Sequence, residues 1–186
     1  FYVNLFESAK AAWPARDGIT IEQTSHFPLG SAKDPHHTST LTVRVADRAR
    51  GERARFAIKV RVPSWTDASA ARITINGKPS KEKLAAGSFV SLTNPDAAQQ
   101  QKKNGGGEWH DADTIELSFP LSLWTAPLND KHAVHNATAA FMYGPLVLAT
   151  VDVTTDIFVP PAGGLAAPSK FIKRNASVTN ALEFRA

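Results

Sequence analysis

The chain has 186 residues, a formal charge of +4 and a pI near 9.5. This basic excess is spread thinly over the whole length, which is too weak to predict nucleic-acid binding. No apolar run approaches the roughly 18 to 20 residues of a membrane helix, so we expect no membrane partner either. There is no cysteine, which excludes disulfides, thiolate catalysis and cysteine-ligated metals within this chain. The composition predicts a soluble folded domain and leaves the compartment open, secreted or intracellular.

Alternation of apolar and polar residues with a period of two dominates the chain, as in strands whose side chains alternate between two faces. The clearest alternating runs are residues 19–22, 41–45, 56–62, 73–75, 89–92 and 114–119. Three later runs, 121–125, 138–143 and 146–151, alternate less and are predicted to be buried on both sides. Residues 8–13 could form one helical turn, but no longer window has a helical pattern.

Turn signals separate these runs at the spacing of antiparallel sheets. The sharpest is Asn76-Gly77, because both residues tolerate the positive φ of a type I′ hairpin turn. Gly144-Pro145 is a second such signal. About ten short strands without crossover helices predict an all-β fold, an antiparallel, jelly-roll-like sandwich with little helix.

The domain organisation follows from shifts in composition. We expect one sandwich domain over residues 1–155, with residues 94–108 as a flexible surface insertion because they are polar and glycine-rich. Residues 156–186 are interpreted as a linker, with Pro160-Pro161 and Gly163-Gly164, and the start of a following segment. The strand-like patterns at both termini suggest a piece of a longer polypeptide.

Histidines and acidic residues are the first candidates for chemistry. His36 and His37 follow His26 by ten residues, but neighbouring strand side chains diverge and no ligand at i+2 or i+4 completes a metal site. The cluster His110, Asp111 and Asp113 beside Trp109 is expected to form a turn before the strand at Ile115. Arg55, Lys59 and Arg61 are expected to form a solvated stripe on one strand. We predict no catalytic, cofactor-binding or metal-ligating residue in this chain.

Four tryptophans, Trp13, Trp65, Trp109 and Trp124, are candidates for ligand or interface contacts, because aromatic faces stack on sugar rings. Their apolar settings are more typical of core or edge packing. Trp65 follows Pro63, which cannot donate to a sheet ladder, so we expect it to be largely buried and to anchor a strand end.

The order of several segments resembles the C-terminal β-sandwich region of glycoside hydrolase family 127, the β-L-arabinofuranosidase-like group. The segments are Val3-Asn4-Leu5-Phe6, TSHFP at 24–28, VRVPSW at 60–65, Ile75-Asn76-Gly77, Trp109 with DTIEL at 113–117, and MYGPLVLA at 142–149. The resemblance covers most of the chain, from about Val3 to Ala149. Ala112 departs from it, since the family usually has glycine before the aspartate, and the connection preceding Trp109 is longer than expected.

The resemblance implies a parent enzyme that is a retaining exo-glycosidase. Its active site would lie in a preceding (α/α)6 barrel, with a cysteine nucleophile beside a zinc held by cysteines and a glutamate. None of these positions exists here, so the resemblance implies a non-catalytic accessory domain that packs against the helical catalytic domain of the parent. The resemblance also leaves room for a homodimer contact.

Two other classes of protein stay open: an independent carbohydrate-binding module and an interaction domain in an assembly. A coplanar, solvent-exposed tryptophan pair would favour the module, and buried tryptophans would favour a scaffold. A large exposed apolar face would favour the scaffold and the assembly domain over the module.

Overall fold

The computed structural model describes residues 1–13, 18–26, 35–46, 53–95, 107–129, 132–136, 138–149, 159–175 and 184–185. Regular structure in these ranges is nearly all strand; their helical residues lie in two short 3-10 turns, Ala133–His135 and Pro168–Lys170. The all-β prediction is therefore confirmed. Within the same ranges no helix is long and apolar enough to cross a membrane.

The chain divides into two compact units, Phe1–Gly30 with His36–Pro120, and Ser31–Pro35 with Leu121–Ala186. The strands of the first unit are β1 (Tyr2–Val3), β2 (Ala9–Ala12), β3 (Ile19–Ser25), β4 (His36–Val45), β5 (Arg53–Phe56), β6 (Ile58–Arg61), β7 (Arg72–Ile75), β8 (Lys78–Pro79), β9 (Phe89–Leu92), β10 (Gly107–His110) and β11 (Thr114–Pro120). Those of the second are β12 (Leu123–Pro127), β13 (Ala139–Tyr143), β14 (Leu146–Val147), β15 (Lys173–Arg174) and β16 (Phe184–Arg185).

The larger sheet of the first unit is antiparallel, in the order β2-β3-β4-β11-β7-β8. The alternation in β4 turns Leu41, Val43 and Val45 inward, where they are almost fully buried, and leaves Arg44 exposed. Ile115 of β11 lies opposite Leu41 on one side and Ile75 on the other, so a continuous apolar row crosses the sheet.

A smaller sheet, in the order β1-β6-β9, supplies the other half of the core. β1 runs parallel to β6, and β9 runs antiparallel to it. Its inward residues belong to the same buried cluster as the inward residues of the larger sheet: Val3, Ile58, Val60, Val90 and Leu92. Two sheets that share one apolar core form a sandwich, as the sequence predicts.

Two local predictions in the first unit are wrong. Residues 8–13 contain no helical turn: Ala9–Ala12 is an edge strand paired with β3, since a single isolated turn has a costly nucleus and strand pairing satisfies more backbone groups. The run at 56–62 is not one strand. It breaks at Ala57, and β5 pairs with β10 whereas β6 lies between β1 and β9.

The second unit contains the sheet β12-β13-β14, whose last hairpin turns at Gly144-Pro145 as predicted. Its strands are mostly half-buried or exposed, so the prediction that these runs are buried on both sides is wrong. The described residues 159–175 do not form an extended linker either. Thr125 Oγ1 donates to the Leu165 carbonyl oxygen at 2.8 Å, and the rings of Phe141 and Phe171 lie 5.7 Å apart, so this segment packs onto the sheet.

The domain boundary predicted after residue 155 lies outside the described residues and stays a prediction, as does the interior of the insertion at 96–106. The prediction is wrong for the two ends of that insertion. Asn94 is only 1 % exposed, and Gly107 and Glu108 belong to β10, so residues 94 and 107–108 are packed parts of the fold. Asn94 Nδ2 donates to the Glu108 carbonyl oxygen at 3.2 Å, which ties the two ends together.

Candidate functional site

Two of the four tryptophans lie in an aromatic cluster around Phe56. Trp109 is fully buried, its Nε1 donates to the Phe56 carbonyl oxygen at 3.1 Å, and the two rings lie 6.3 Å apart. Trp13 is partly buried and meets Phe1 and Phe56 edge-on at 5.6 and 6.2 Å. Edge contacts of this kind are typical of core packing. The fully buried Trp109 ring offers no open face for a ligand.

The other two tryptophans are half-buried. Trp65 is partly buried and packs against the sandwich core in a turn beyond the end of β6, and its role as an anchor of the strand end stays a prediction. The neighbouring Thr66 is buried, and its Oγ1 donates to the Pro120 carbonyl oxygen at 3.1 Å. In the second unit, Trp124 Nε1 donates to the Gly144 carbonyl oxygen at 2.7 Å, so its polar atom is used inside the fold.

A network of polar groups surrounds Asp113, and we call Asn76, Asn94, His110 and Asp113 the Asp113 node. Asp113 is 8 % exposed. Its Oδ1 accepts a hydrogen bond from Asn76 Nδ2 at 2.8 Å. Its Oδ2 accepts from Asn94 Nδ2 at 2.8 Å and from the His110 backbone N–H at 2.7 Å. One carboxylate therefore joins three segments of the chain.

Local backbone geometry positions this node. Asn76 and Gly77 have φ of 51° and 73°, as the predicted type I′ turn between β7 and β8 requires. Asn76 Oδ1 also accepts the Thr114 N–H at 2.9 Å, which fixes the orientation of its amide. Asp111 and Ala112 form the turn from β10 to β11, where Ala112 has a φ of 65°. Asp111 Oδ1 accepts the Val45 N–H at 2.9 Å and ties the turn to β4.

Zinc, which the family resemblance associates with the parent enzyme, does not fit the node. Three N–H groups point at the Asp113 carboxylate, and donors in that arrangement repel a cation. In the described ranges no three histidine, aspartate or glutamate side chains come close enough to hold a metal ion. The chain also lacks the cysteines that the family's zinc ligation needs.

Arg55, Lys59 and Arg61 do not form one stripe, which corrects the prediction, because Arg55 lies on β5 and the other two lie on β6. Arg55 Nε approaches Glu108 Oε2 at 3.2 Å across the β5–β10 ladder, and an Arg53 nitrogen lies 3.8 Å from the same carboxylate. Partly exposed ion pairs of this kind add little to stability, although opposite charges that face each other across a ladder favour the observed pairing.

The histidines at the start of β4 separate as expected for neighbours on a strand. His37 is 2 % exposed, its ring lies 5.6 Å from that of Phe6, and its Nε2 lies 3.5 Å from Ser25 Oγ. Burial, aided by the nearby charge of His26, lowers the pKa of His37 below its ordinary value of 6.5. The ring is therefore kept neutral inside the sandwich.

One surface was missed in the sequence. The residues of the β1-β6-β9 sheet that point away from the core form what we call the Tyr2 face: Tyr2, Lys59, Arg61, Phe89 and Ser91. Tyr2 is 67 % exposed and Phe89 is 47 % exposed, and their rings meet edge-on at 5.6 Å. Lys59 Nζ lies 5.2 Å from the centre of the Tyr2 ring. The alternation at 89–92 could have predicted this surface, since Val90 and Leu92 share the buried face and Phe89 must then point outward.

The first unit is therefore an all-β sandwich with one shared apolar core, a buried Asp113 node and an aromatic outer face. Residues 1–121 match the family model described as beta-L-arabinofuranosidase, GH127 middle domain. The chain belongs to this family, so the family prediction is confirmed. The resemblance pointed to a C-terminal sandwich region, whereas the description of the model places these residues in the middle domain.

Solved structures with the same fold include three proteins. A protein titled glycoside hydrolase has a TM-score of 0.51 and 18 % identity, with 78 % of this chain and 20 % of that chain covered. A GH127 beta-L-arabinofuranosidase from Geobacillus stearothermophilus T6 has a TM-score of 0.52 and 20 % identity, with coverages of 78 % and 19 %. Another GH127 beta-arabinofuranosidase has a TM-score of 0.53 and 20 % identity, with coverages of 78 % and 22 %.

The matched region thus corresponds to between 19 % and 22 % of each of these three proteins. Identities this low show a shared fold. Comparison with curated proteins gave no match.

Proposed function

We propose that this chain is the non-catalytic accessory β-sandwich domain of a longer family 127 glycoside hydrolase, with a β-L-arabinofuranosidase-like activity that resides outside residues 1–186. The observation that carries this proposal is the match of residues 1–121 to the middle domain of that family. The solved relatives support it, because the corresponding region is only about a fifth of each of those proteins.

The chemistry of the chain agrees with a structural role. Its buried carboxylate, Asp113, is held by hydrogen-bond donors from within the domain and is not directed at a ligand. A nucleophile of the kind the resemblance implies would need a cysteine, and the chain has none. In the proposed parent, the nucleophile and the zinc belong to a helical catalytic domain, and the sandwich covers and stabilises that domain.

The tryptophans favour a scaffold over an independent carbohydrate-binding module. A binding platform needs coplanar aromatic rings open to solvent. Trp109 is fully buried, Trp13 and Trp65 pack against the core, and Trp124 directs its indole nitrogen into the second unit. The described part of the chain therefore offers no open tryptophan pair for a sugar.

The experiment is to purify the 186-residue chain and assay it with an aryl β-L-arabinofuranoside, alongside metal analysis after dialysis. We expect no hydrolysis above background and no stoichiometric zinc. Hydrolysis that a chelator abolishes would refute the proposal.

Isothermal titration of the same chain with L-arabinose and arabino-oligosaccharides tests the binding module. Saccharide binding that is lost in Trp65→Ala or Trp124→Ala would support the module in place of the accessory role. Trp109→Ala is unsuitable for this purpose, because removal of a fully buried indole would perturb the core itself.

A further inference from the structure

The Tyr2 face differs from an ordinary solvated sheet face. Two large aromatic side chains stand outward from the two outer strands of a small sheet, with Phe89 opposite Arg61 on β6 and Tyr2 opposite Lys59. The inward residues of the same strands are buried in the core, so the outward position of this pair follows from strand geometry. Exposed aromatic rings grouped on one flat face mark an interaction surface.

The charge on this face defines its partner. Lys59 and Arg61 are cationic, and the remaining member, Ser91, is neutral. Within the described ranges neither cation has a carboxylate partner, and Lys59 Nζ instead donates to the Tyr2 hydroxyl at 3.3 Å. A complementary surface would present apolar groups to the rings and carboxylates to the two cations.

The ring geometry argues against a sugar as the occupant. The Tyr2 and Phe89 rings are inclined at 78°, and a Lys59 ammonium group lies over the Tyr2 ring. An edge-to-face pair with a cation over one ring does not form the flat platform on which a pyranose or furanose ring stacks. A protein surface can fill the angle between the rings with side chains.

We infer that the Tyr2 face is the docking surface for a flanking domain of the same polypeptide, which meets it with apolar side chains edged by carboxylates. This inference rests on the proposed function. A middle domain is by definition flanked by other parts of its polypeptide, and about four-fifths of each solved relative lies outside the matched region. Interfaces between domains of one polypeptide combine apolar and polar groups, as the Tyr2 face does.

The test is hydroxyl-radical footprinting, read by mass spectrometry, of the full-length polypeptide that contains this chain and of the isolated chain. We expect Tyr2 and Phe89 to react readily in the isolated chain and to fall to the reactivity of the buried Trp109 in the full-length polypeptide. Phe89→Glu in the full-length polypeptide opposes the partner's carboxylates and should raise the undocked population by at least about tenfold, seen as recovered Tyr2 reactivity.

Thr24→Glu is the matched control, because Thr24 is an exposed strand residue of the larger sheet and acquires the same charge. It should leave Tyr2 protected. Urea unfolding of both isolated variants separates loss of docking from a folding defect, and we expect the two midpoints to differ little from that of the unmodified chain.

Equal Tyr2 and Phe89 reactivity in the isolated and full-length forms would overturn the inference and leave the proposed accessory function standing. Protection of the isolated chain that grows with its concentration would assign the face to a second copy and refute docking to a flanking domain. Protection that needs added arabino-oligosaccharide would assign it to a sugar and refute it equally. Hydrolysis by the isolated chain, in contrast, would refute the proposed function itself.

Discussion

Asp113→Asn breaks the Asp113 node at one identifiable point. The asparagine oxygen can still accept from Asn94 Nδ2 and the His110 N–H, which both bond to the same carboxylate oxygen. Its amide NH2 must then face Asn76 Nδ2, a second donor, 2.8 Å from the original Oδ1. Asn76 cannot rotate its amide in response, because its Oδ1 already accepts the Thr114 N–H at 2.9 Å.

The expected cost follows from these contacts. A hydrogen bond to a charged acceptor is worth about 1.5 to 3 kcal/mol, and a buried donor left unpaired costs a similar amount. We therefore expect Asp113→Asn to lower the free energy of unfolding by about 2 to 3 kcal/mol. Asp113→Ala leaves three donors without their acceptor and should cost about 3 to 5 kcal/mol, since each buried donor left unpaired costs about 1 to 3 kcal/mol.

The decisive variant is the double substitution Asp113→Asn with Asn76→Asp. It exchanges donor and acceptor across the contact, so the carboxylate introduced at position 76 can accept from the amide introduced at position 113 while its other oxygen accepts the Thr114 N–H. Asn76→Asp alone places two carboxylates together and should destabilise the fold. The double variant should be more stable than Asp113→Asn, with a coupling energy of about 1 to 2 kcal/mol in its favour.

Urea unfolding of the four proteins, followed by tryptophan fluorescence, measures this double-mutant cycle. The slope of free energy against urea should stay constant, so that a shift in midpoint reports stability. Additive single effects, within about 0.5 kcal/mol, would show that the Asn76–Asp113 hydrogen bond does not hold the turn in place.

Three further predictions concern the backbone, the core and acid stability. Ala112→Gly should raise the free energy of unfolding by about 0.5 to 1 kcal/mol, because Ala112 has a φ of 65°. Ala85→Gly, just before a turn and without positive φ, should lower the free energy of unfolding. A lower stability of Ala112→Gly in urea unfolding would contradict the argument. Trp109→Ala should cost about 3 to 5 kcal/mol and the half-buried Trp65→Ala about 1 to 3; calorimetry showing the reverse order would refute the burial argument. The pKa of His37 is lowered in the folded state, so the contribution of the neutral ring to the free energy of unfolding is fully present above pH 6.5 and is lost as the pH falls and the unfolded chain takes up the proton more readily. His37→Gln should therefore flatten the fall in the free energy of unfolding below pH 6.5. An unchanged pH profile would show that His37 does not cause this loss of stability in acid.

The sequence predicted β3, β4, β7, β9 and β11 of the first unit, because alternation follows from the covalent geometry of an extended chain. It also predicted the turn at Asn76-Gly77, where positive φ is a local property, and the family, because the order of segments is written in the chain. It did not reveal that the run at 56–62 is divided between two sheets. That division depends on which strands pair, and pairing partners are distant in sequence.

The two features on which a functional interpretation depends came from tertiary structure. Asp113 and Tyr2 were visible in the sequence as a turn residue and a strand residue. Asp113 meets donors 19 and 37 positions away, and Tyr2 meets a lysine 57 positions away. Local propensity carries no information about such contacts. They exist only once strand pairing and the shared apolar core have brought distant segments together, which is why the tertiary structure alone decided the node and the Tyr2 face.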